Sequence, residues 1–141
     1  MLVDANILLF AADRTSPHHE PAKAWLEGAL GGEQRVGLPW ESLVAFVRVA
    51  THPRVMRDPI TTRTAWTQVR DWLEPPPAWI PTPTNRHEAV LGALLDSHWV
   101  TGDLVHDAHL AAIAIEHGLA ICSADSDFAR FTEVEWINPV G

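Results

Sequence analysis

Short apolar runs alternate along this chain with longer stretches whose apolar positions recur every three or four residues. That alternation predicts strands separated by helices. Leu2-Val3 with Ile7–Phe10 reads as a first strand running into a helix or turn. Ser16-Pro17-His18-His19-Glu20 reads as a helix start, with Ser at the cap, Pro in the first position and Glu in the first turn. Ala22, Trp25, Leu26 and Leu30 follow at helical spacing, and Gly31-Gly32 stops them. Val36–Leu38 reads as a strand, and Trp40–Ala50 as a helix with Leu43, Val44 and Val47 on one face. Thr51–Pro59, with two prolines, reads as a loop.

Thr61–Leu73 reads as a helix stopped by Pro75-Pro76-Pro77, a rigid spacer whose flanks are too short to fold alone. Trp79-Ile80 begins a strand, and Arg86–His98 carries Ala89, Val90, Ala93, Leu94 and Leu95 on a helix. In the helix Leu104–His117, Ala108, Ala111, Ala112 and Ala114 permit close packing, and Gly118 ends it. Leu119–Cys122 is a strand, Asp125–Phe131 a turn into a short helix, and Val134–Ile137 a last strand. The pattern is α/β: a small parallel sheet of four or five strands with helices on both faces. A chain of 141 residues, 47% apolar, makes one domain over residues 1–141 with a real core. The seven tryptophans are expected mostly at helical core positions.

Charge sharpens this picture. The net charge of −8 argues against simple attraction to nucleic acid, yet it is unevenly spread. Between Arg48 and Arg70 there are five arginines and one acid, Asp58; the rest of the chain has five basic residues against 17 acids. One basic segment on an acidic body suits local positioning of a polyanion, or equally a solvated helical face. Cys122 is the only cysteine and lies in an apolar run, so it reads as an inert core thiol. Leu2–Ala12 carries Asp4 and no basic flank, unlike a signal peptide, and no run reaches the ~18 apolar residues of a membrane span. A soluble cytoplasmic protein is expected.

Four apolar runs end in carboxylates: Asp4 after Leu2-Val3, Glu41 after Leu38-Pro39-Trp40, Asp107 after Val105-His106, and Asp125 with Asp127 after Ile121-Cys122. A parallel sheet gathers the carboxyl ends of its strands at one rim. Acids collected there repel one another unless a cation sits among them. All these donors are oxygens, which suits Mg²⁺ or Mn²⁺ over zinc. Asn6 and Ser123 could hydrogen-bond a neighbouring carboxylate or a substrate phosphate. Any one acid reads as well as a helix cap or turn residue, Asp127 as a cap for a helix from Phe128 and Asp103 as a cap for Leu104; the set points to a metal. His106 and His109 tempt a zinc reading, but the other histidines fall in unrelated segments. His117 suits the C-terminus of its helix.

These segments together resemble the VapC-type toxins, PIN-domain ribonucleases of bacterial toxin–antitoxin pairs. The likeness rests on Leu2-Val3-Asp4-Ala5-Asn6, Pro39-Trp40-Glu41-Ser42, Arg48–Val55, Asp107–Ala114 and Ser123–Phe131. Arg48–Val55 and the closing Trp136-Ile137-Asn138-Pro139 are similar to the actinobacterial branch. The resemblance implies a PIN-like three-layer α/β/α sandwich and metal-dependent endonuclease activity on RNA, with metal-activated water as nucleophile. It implies Asp4, Glu41, Asp107 and Asp125 as the catalytic, metal-holding acids, Asp127 as a further acid and Ser123 as an accessory. It also implies a homodimer, silenced by a VapB-type antitoxin whose C-terminal segment enters the acidic groove. On this reading Arg48, Arg54 and Arg57 guide an RNA backbone, or meet the antitoxin or the second subunit. Neutralising them weakens RNA binding and flattens its salt dependence if they meet RNA. Two rivals remain at this level: a non-catalytic RNA- or protein-binding module, and a phosphatase with an aspartate nucleophile after strand 1, a class that favours an acid where this chain has Asn6.

Overall fold

The computed structural model describes residues 1–141. Five short strands, β1 (Leu2–Val3), β2 (Val36–Gly37), β3 (Ala78–Trp79), β4 (Ile121–Cys122) and β5 (Trp136–Ile137), form one parallel sheet in the order β3-β2-β1-β4-β5. Backbone bonds continue the ladder past these bounds: Leu38 N–H donates to Trp79 O (2.8 Å), Asp4 N–H to Cys122 O (2.9 Å) and Ser123 N–H to Ile137 O (3.0 Å). Six helices connect or flank the strands: α1 (Ala5–Ala12), α2 (His19–Leu30), α3 (Trp40–Ala50), α4 (Thr62–Leu73), α5 (His87–Ser97) and α6 (Leu104–Glu116). A 3₁₀ turn at Ser126–Arg130 follows β4.

The alternation of side chains along β1 splits the core in two. Val3 faces a cluster with Ile7, Leu8, Leu26, Leu43, Phe46 and Val69, drawn from α1–α4. Leu2 faces the opposite cluster, with Leu94, Leu110, Ile113, Ile121 and Phe128 from α5, α6, β4 and the turn after it. The sheet is thus the middle layer of three. The alanines of α6 (Ala108, Ala111, Ala112, Ala114) are fully buried, as expected for close packing on the sheet and α5. Gly37 is required by close approach: a Cβ there would lie 3.0 Å from the Pro81 ring and 3.1 Å from Met1 O. The Cys122 thiol is buried and pushed up to about 12 by that burial, which leaves it protonated and inert. No helix is long and apolar enough to cross a membrane.

Several expectations are corrected. The helix expected from Ser16 starts at His19; the Ser16 hydroxyl instead closes a turn by accepting from His18 N–H (3.1 Å). Asp103 occupies the cap position of α6 without a side-chain cap bond. Asp125, not Asp127, caps the 3₁₀ turn, which leaves the Asp127 carboxylate free. Most tryptophans are not core residues: Trp72 is buried, whereas Trp40, Trp66 and Trp99 are exposed. Trp66 sits one residue after Ala65, off the stripe Ala65–Val69–Trp72 that α4 buries, and stacks on Trp40 with ring centroids 6.0 Å apart.

Candidate metal centre at the sheet rim

Chain order along the sheet reverses at β1: the path runs out to β2 and β3, then crosses to β4 on the other side. The crevice outside the carboxyl ends of β1 and β4 is therefore the switch point, where open α/β sheets hold ligands. Asp4 leaves β1 there. Its Oδ1 accepts from Ala5 N–H (2.8 Å), capping α1, and its Oδ2 accepts from the Ser123 hydroxyl (2.7 Å) and Asn6 Nδ2 (3.4 Å). Asn6 reaches across as well, donating to Ser123 Oγ (3.1 Å) and accepting from Ala124 N–H (3.2 Å). The Ser123 oxygen accepts from Asp125 N–H (3.0 Å), and Trp136 Nε1 donates to Ser123 O (2.9 Å). Asn6 and Ser123 thus tie the ends of β1 and β4 together and aim Asp4. Burial raises the Asp4 carboxyl above its ordinary range despite the bonds from Ser123 and Ala5; Asp125 adds to the rise and His106 opposes it.

Opposite this knitted pair lies a barer group. Asp107, in the first turn of α6, comes together with Asp125 and Asp127, one oxygen from each lying within 4.8 Å of the others. Asp125 Oδ1 accepts from Asp127 N–H (2.9 Å). Asp107 accepts no hydrogen bond. Its carboxyl is pushed up to about 6, first by burial, then by the charges of Asp125, Asp4, Asp127 and Asp103. Three of the five expected acids, Asp107, Asp125 and Asp127, therefore converge, and Asp4 lies near enough for its charge to raise the Asp107 carboxyl.

Glu41 stands in the first turn of α3. The neighbouring Ser42 is buried and its hydroxyl donates to Val3 O (2.7 Å), which clamps the start of α3 to the end of β1. Sequence reasoning gave Ser42 no role, although a polar residue among Leu38, Leu43 and Phe46 was a signal. Glu41 is outside the aspartate cluster. Its Oε2 accepts from His109 Nε2 (2.6 Å), and His109 meets His87, which sits on Glu116. The histidines judged unrelated in sequence are in part a connected set. His117 stands at the C-cap position of α6 by its backbone, while its ring turns away from the helix carbonyls and meets Thr82 O through Nε2 (2.7 Å). Arg48, Arg54 and Arg57 are exposed and form no salt bridge. A cavity of about 630 Å³ lies elsewhere, between α1, the loop after α3 and α4, and includes none of Asp4, Glu41, Asp107, Asp125 and Asp127.

The PIN domain matches residues 1–134 of this sequence. Ribonuclease VapC37 of Mycobacterium tuberculosis is 49% identical over 138 residues, covering 98% of this chain and 96% of the relative. Ribonuclease VapC33 of the same species is 37% identical over 140 residues, covering 99% and 98%. Among solved structures, VapBC2 from Rickettsia felis, bound to a DNA fragment from their promoter, contains a chain that superposes with a TM-score of 0.68 at 13% identity, covering 97% of this chain and 96% of that one. That last likeness shows the fold; the sequence matches run nearly end to end, and this chain belongs to the VapC family of PIN-domain proteins.

Proposed function

We propose that this chain is a Mg²⁺- or Mn²⁺-dependent endoribonuclease, the toxin half of a toxin–antitoxin pair, which hydrolyses RNA phosphodiester bonds and so inhibits translation and growth. The observation that carries this reading is the Asp107–Asp125–Asp127 cluster, with oxygens within 4.8 Å and Asp107 pushed up to about 6. Carboxylates this close are destabilising until a cation neutralises them. An all-oxygen donor set fits a hard divalent ion. Asp107, Asp125 and Asp127 would hold it, with Asp4 and Glu41 completing the set. When bound, such an ion polarises a phosphoryl oxygen and lowers the pKa of a water for in-line attack.

The chain's own groups supply orientation and proton handling. Ser123 and Asn6 fix Asp4 from across the crevice. Asp107, without a hydrogen-bond donor and with its carboxyl pushed up to about 6, is suited to take the proton of the attacking water. The exposed arginines Arg48, Arg54 and Arg57 are free to meet phosphates. The relatives are named ribonucleases, which supports RNA, transfer or ribosomal, as substrate. The Rickettsia felis structure is a VapBC2 assembly, which supports a VapB-type antitoxin as partner; a homodimer within a hetero-oligomer in the cytoplasm is part of the same proposal.

The test is a total RNA pool incubated with wild type and Asp4→Asn, with Mn²⁺ and with chelator, and cut ends mapped by sequencing. Discrete cuts bearing 5′-phosphates are expected for wild type with Mn²⁺ alone. RNA that is bound but never cut would make the protein a binding module, and a phosphoaspartate trapped at Asp4 would make it a phosphatase.

A further inference from the structure

A continuous hydrogen-bonded chain runs from the rim into the core. His109 Nε2 meets Glu41 Oε2 at 2.6 Å, His109 Nδ1 meets His87 Nε2 at 2.9 Å, and His87 Nδ1 meets Glu116 Oε2 at 2.6 Å. The two rings cross nearly at right angles, 87°. The inner end is anchored: the Glu116 side chain is fully buried, and its Oε1 accepts from both Thr84 N–H (2.8 Å) and the Thr84 hydroxyl (2.6 Å). Arg86 Nη2 donates to Glu116 O (2.7 Å). The outer end is open. Glu41 is a quarter exposed, and its Oε1 takes no hydrogen bond, so it can accept a cation.

Hydrogen counting fixes the direction of the chain. Carboxylates only accept, so His87 carries its proton on Nδ1 and His109 on Nε2. One further hydrogen closes the contact between the rings. A glutamate at a helix start is otherwise free to change rotamer. Here a buried acid sets His87, His87 sets the plane of His109, and His109 sets Glu41.

We infer that His87 is a positioning residue that, through His109, holds the Glu41 carboxylate in the orientation a cation at the sheet rim requires. This rests on the metal-centre reading for its purpose, though not for its geometry. The spacing His109–Glu116, two turns of α6, puts both on one face of the helix; His87 enters from α5 beside them.

The informative variant is His87→Asn, whose amide nitrogen can stand in for Nδ1 toward Glu116 but cannot reach His109. Two readouts are taken on the full chain. Mn²⁺ affinity, measured by electron paramagnetic resonance without RNA, is expected to fall about tenfold. In ¹H–¹⁵N spectra without metal, wild type is expected to show a protected imidazole N–H from His109, lost in Glu41→Gln and in His87→Asn. His109→Gln, which keeps a donor near the Nε2 position, is expected to bind Mn²⁺ equally well with or without His87→Asn added. Wild-type Mn²⁺ affinity in folded His87→Asn overturns the inference. If wild type itself binds no Mn²⁺, the metal reading fails, and the His109 resonance then decides alone: its persistence in His87→Asn overturns the positioning role.

Discussion

Asp4 and Asp107 approach the same crevice from opposite sides, yet Asp4 accepts three hydrogen bonds and Asp107 accepts none. The β1–β4 side is built before any ligand arrives: Asn6 and Ser123 lock two strand ends and one acid into a single geometry. The facing side, Asp107 of α6 with Asp125 and Asp127 of the turn after β4, carries three carboxylates in mutual reach and almost no donors to offset them. A rigid, satisfied wall facing a repelling one is what a site needs when part of its structure is to be completed by a cation. Preorganisation lowers the ordering cost on one side, and the uncompensated charge supplies affinity on the other.

Removing a charge from the bare side should break the comparison most sharply. Asp107→Asn is expected to lower RNA cleavage by about 100-fold or more, beyond the range for a supporting residue. The same change relieves repulsion, so the metal-free variant should melt higher than wild type in a calorimetric scan. Mn²⁺ should then add little to the variant, while at a hundredfold above its Kd it adds about 2.7 kcal/mol to wild type. A metal-free Asp107→Asn that melts lower than wild type would mean that this carboxylate is satisfied in a way the geometry does not contain.

Acidity separates the two sides next. Asp107 is raised from 3.8 to about 6, so the native state binds its proton more tightly than the unfolded chain does. Its contribution to stability is fully present below about pH 4 and lost as pH rises through about 6. The melting temperature of metal-free protein is therefore expected to fall across that window, with Asp4, also raised, acting in the same sense. Saturating Mn²⁺ should abolish the fall, because it favours the ionised acids. A flat metal-free profile would remove the case for crowding.

Smaller effects are expected on the knitted side. Ser123→Ala deletes the donor to Asp4 and the acceptor used by Asn6 and Asp125 N–H. Equilibrium unfolding should show a loss of about 1–3 kcal/mol, and cleavage a loss of about tenfold. Losing stability with cleavage intact would make Ser123 a strand clamp alone.

The layered architecture was legible because hydrophobic period separates strands from helices, whereas the opposite facing of Leu2 and Val3, both apolar, shows only in the structure. The acids were legible because apolar runs stop at them. Asp125 and Asp4 cap their turns and still face the crevice beside Asp107, so capping and membership of an acidic set do not compete. The tryptophans misled because a large ring counts as apolar in any pattern; only the angle around α4 separates Trp72, on the buried stripe, from Trp66 beside it. The Glu41–His109–His87–Glu116 chain was unreadable for a different reason. Its contacts join residues 22, 29 and 68 positions apart, and only tertiary packing of α5 on α6 and of α3 on β1 creates them. The one local trace was His109 and Glu116 sharing a face of an alanine-rich helix.

The proposed chemistry depends on scattered acids closing on a shared cation. Anomalous diffraction from a crystal soaked in Mn²⁺ reads this directly. A peak within coordination distance of Asp107, Asp125 and Asp127 oxygens, on the side facing Asp4, is expected; a saturated crystal with no peak there would contradict the account.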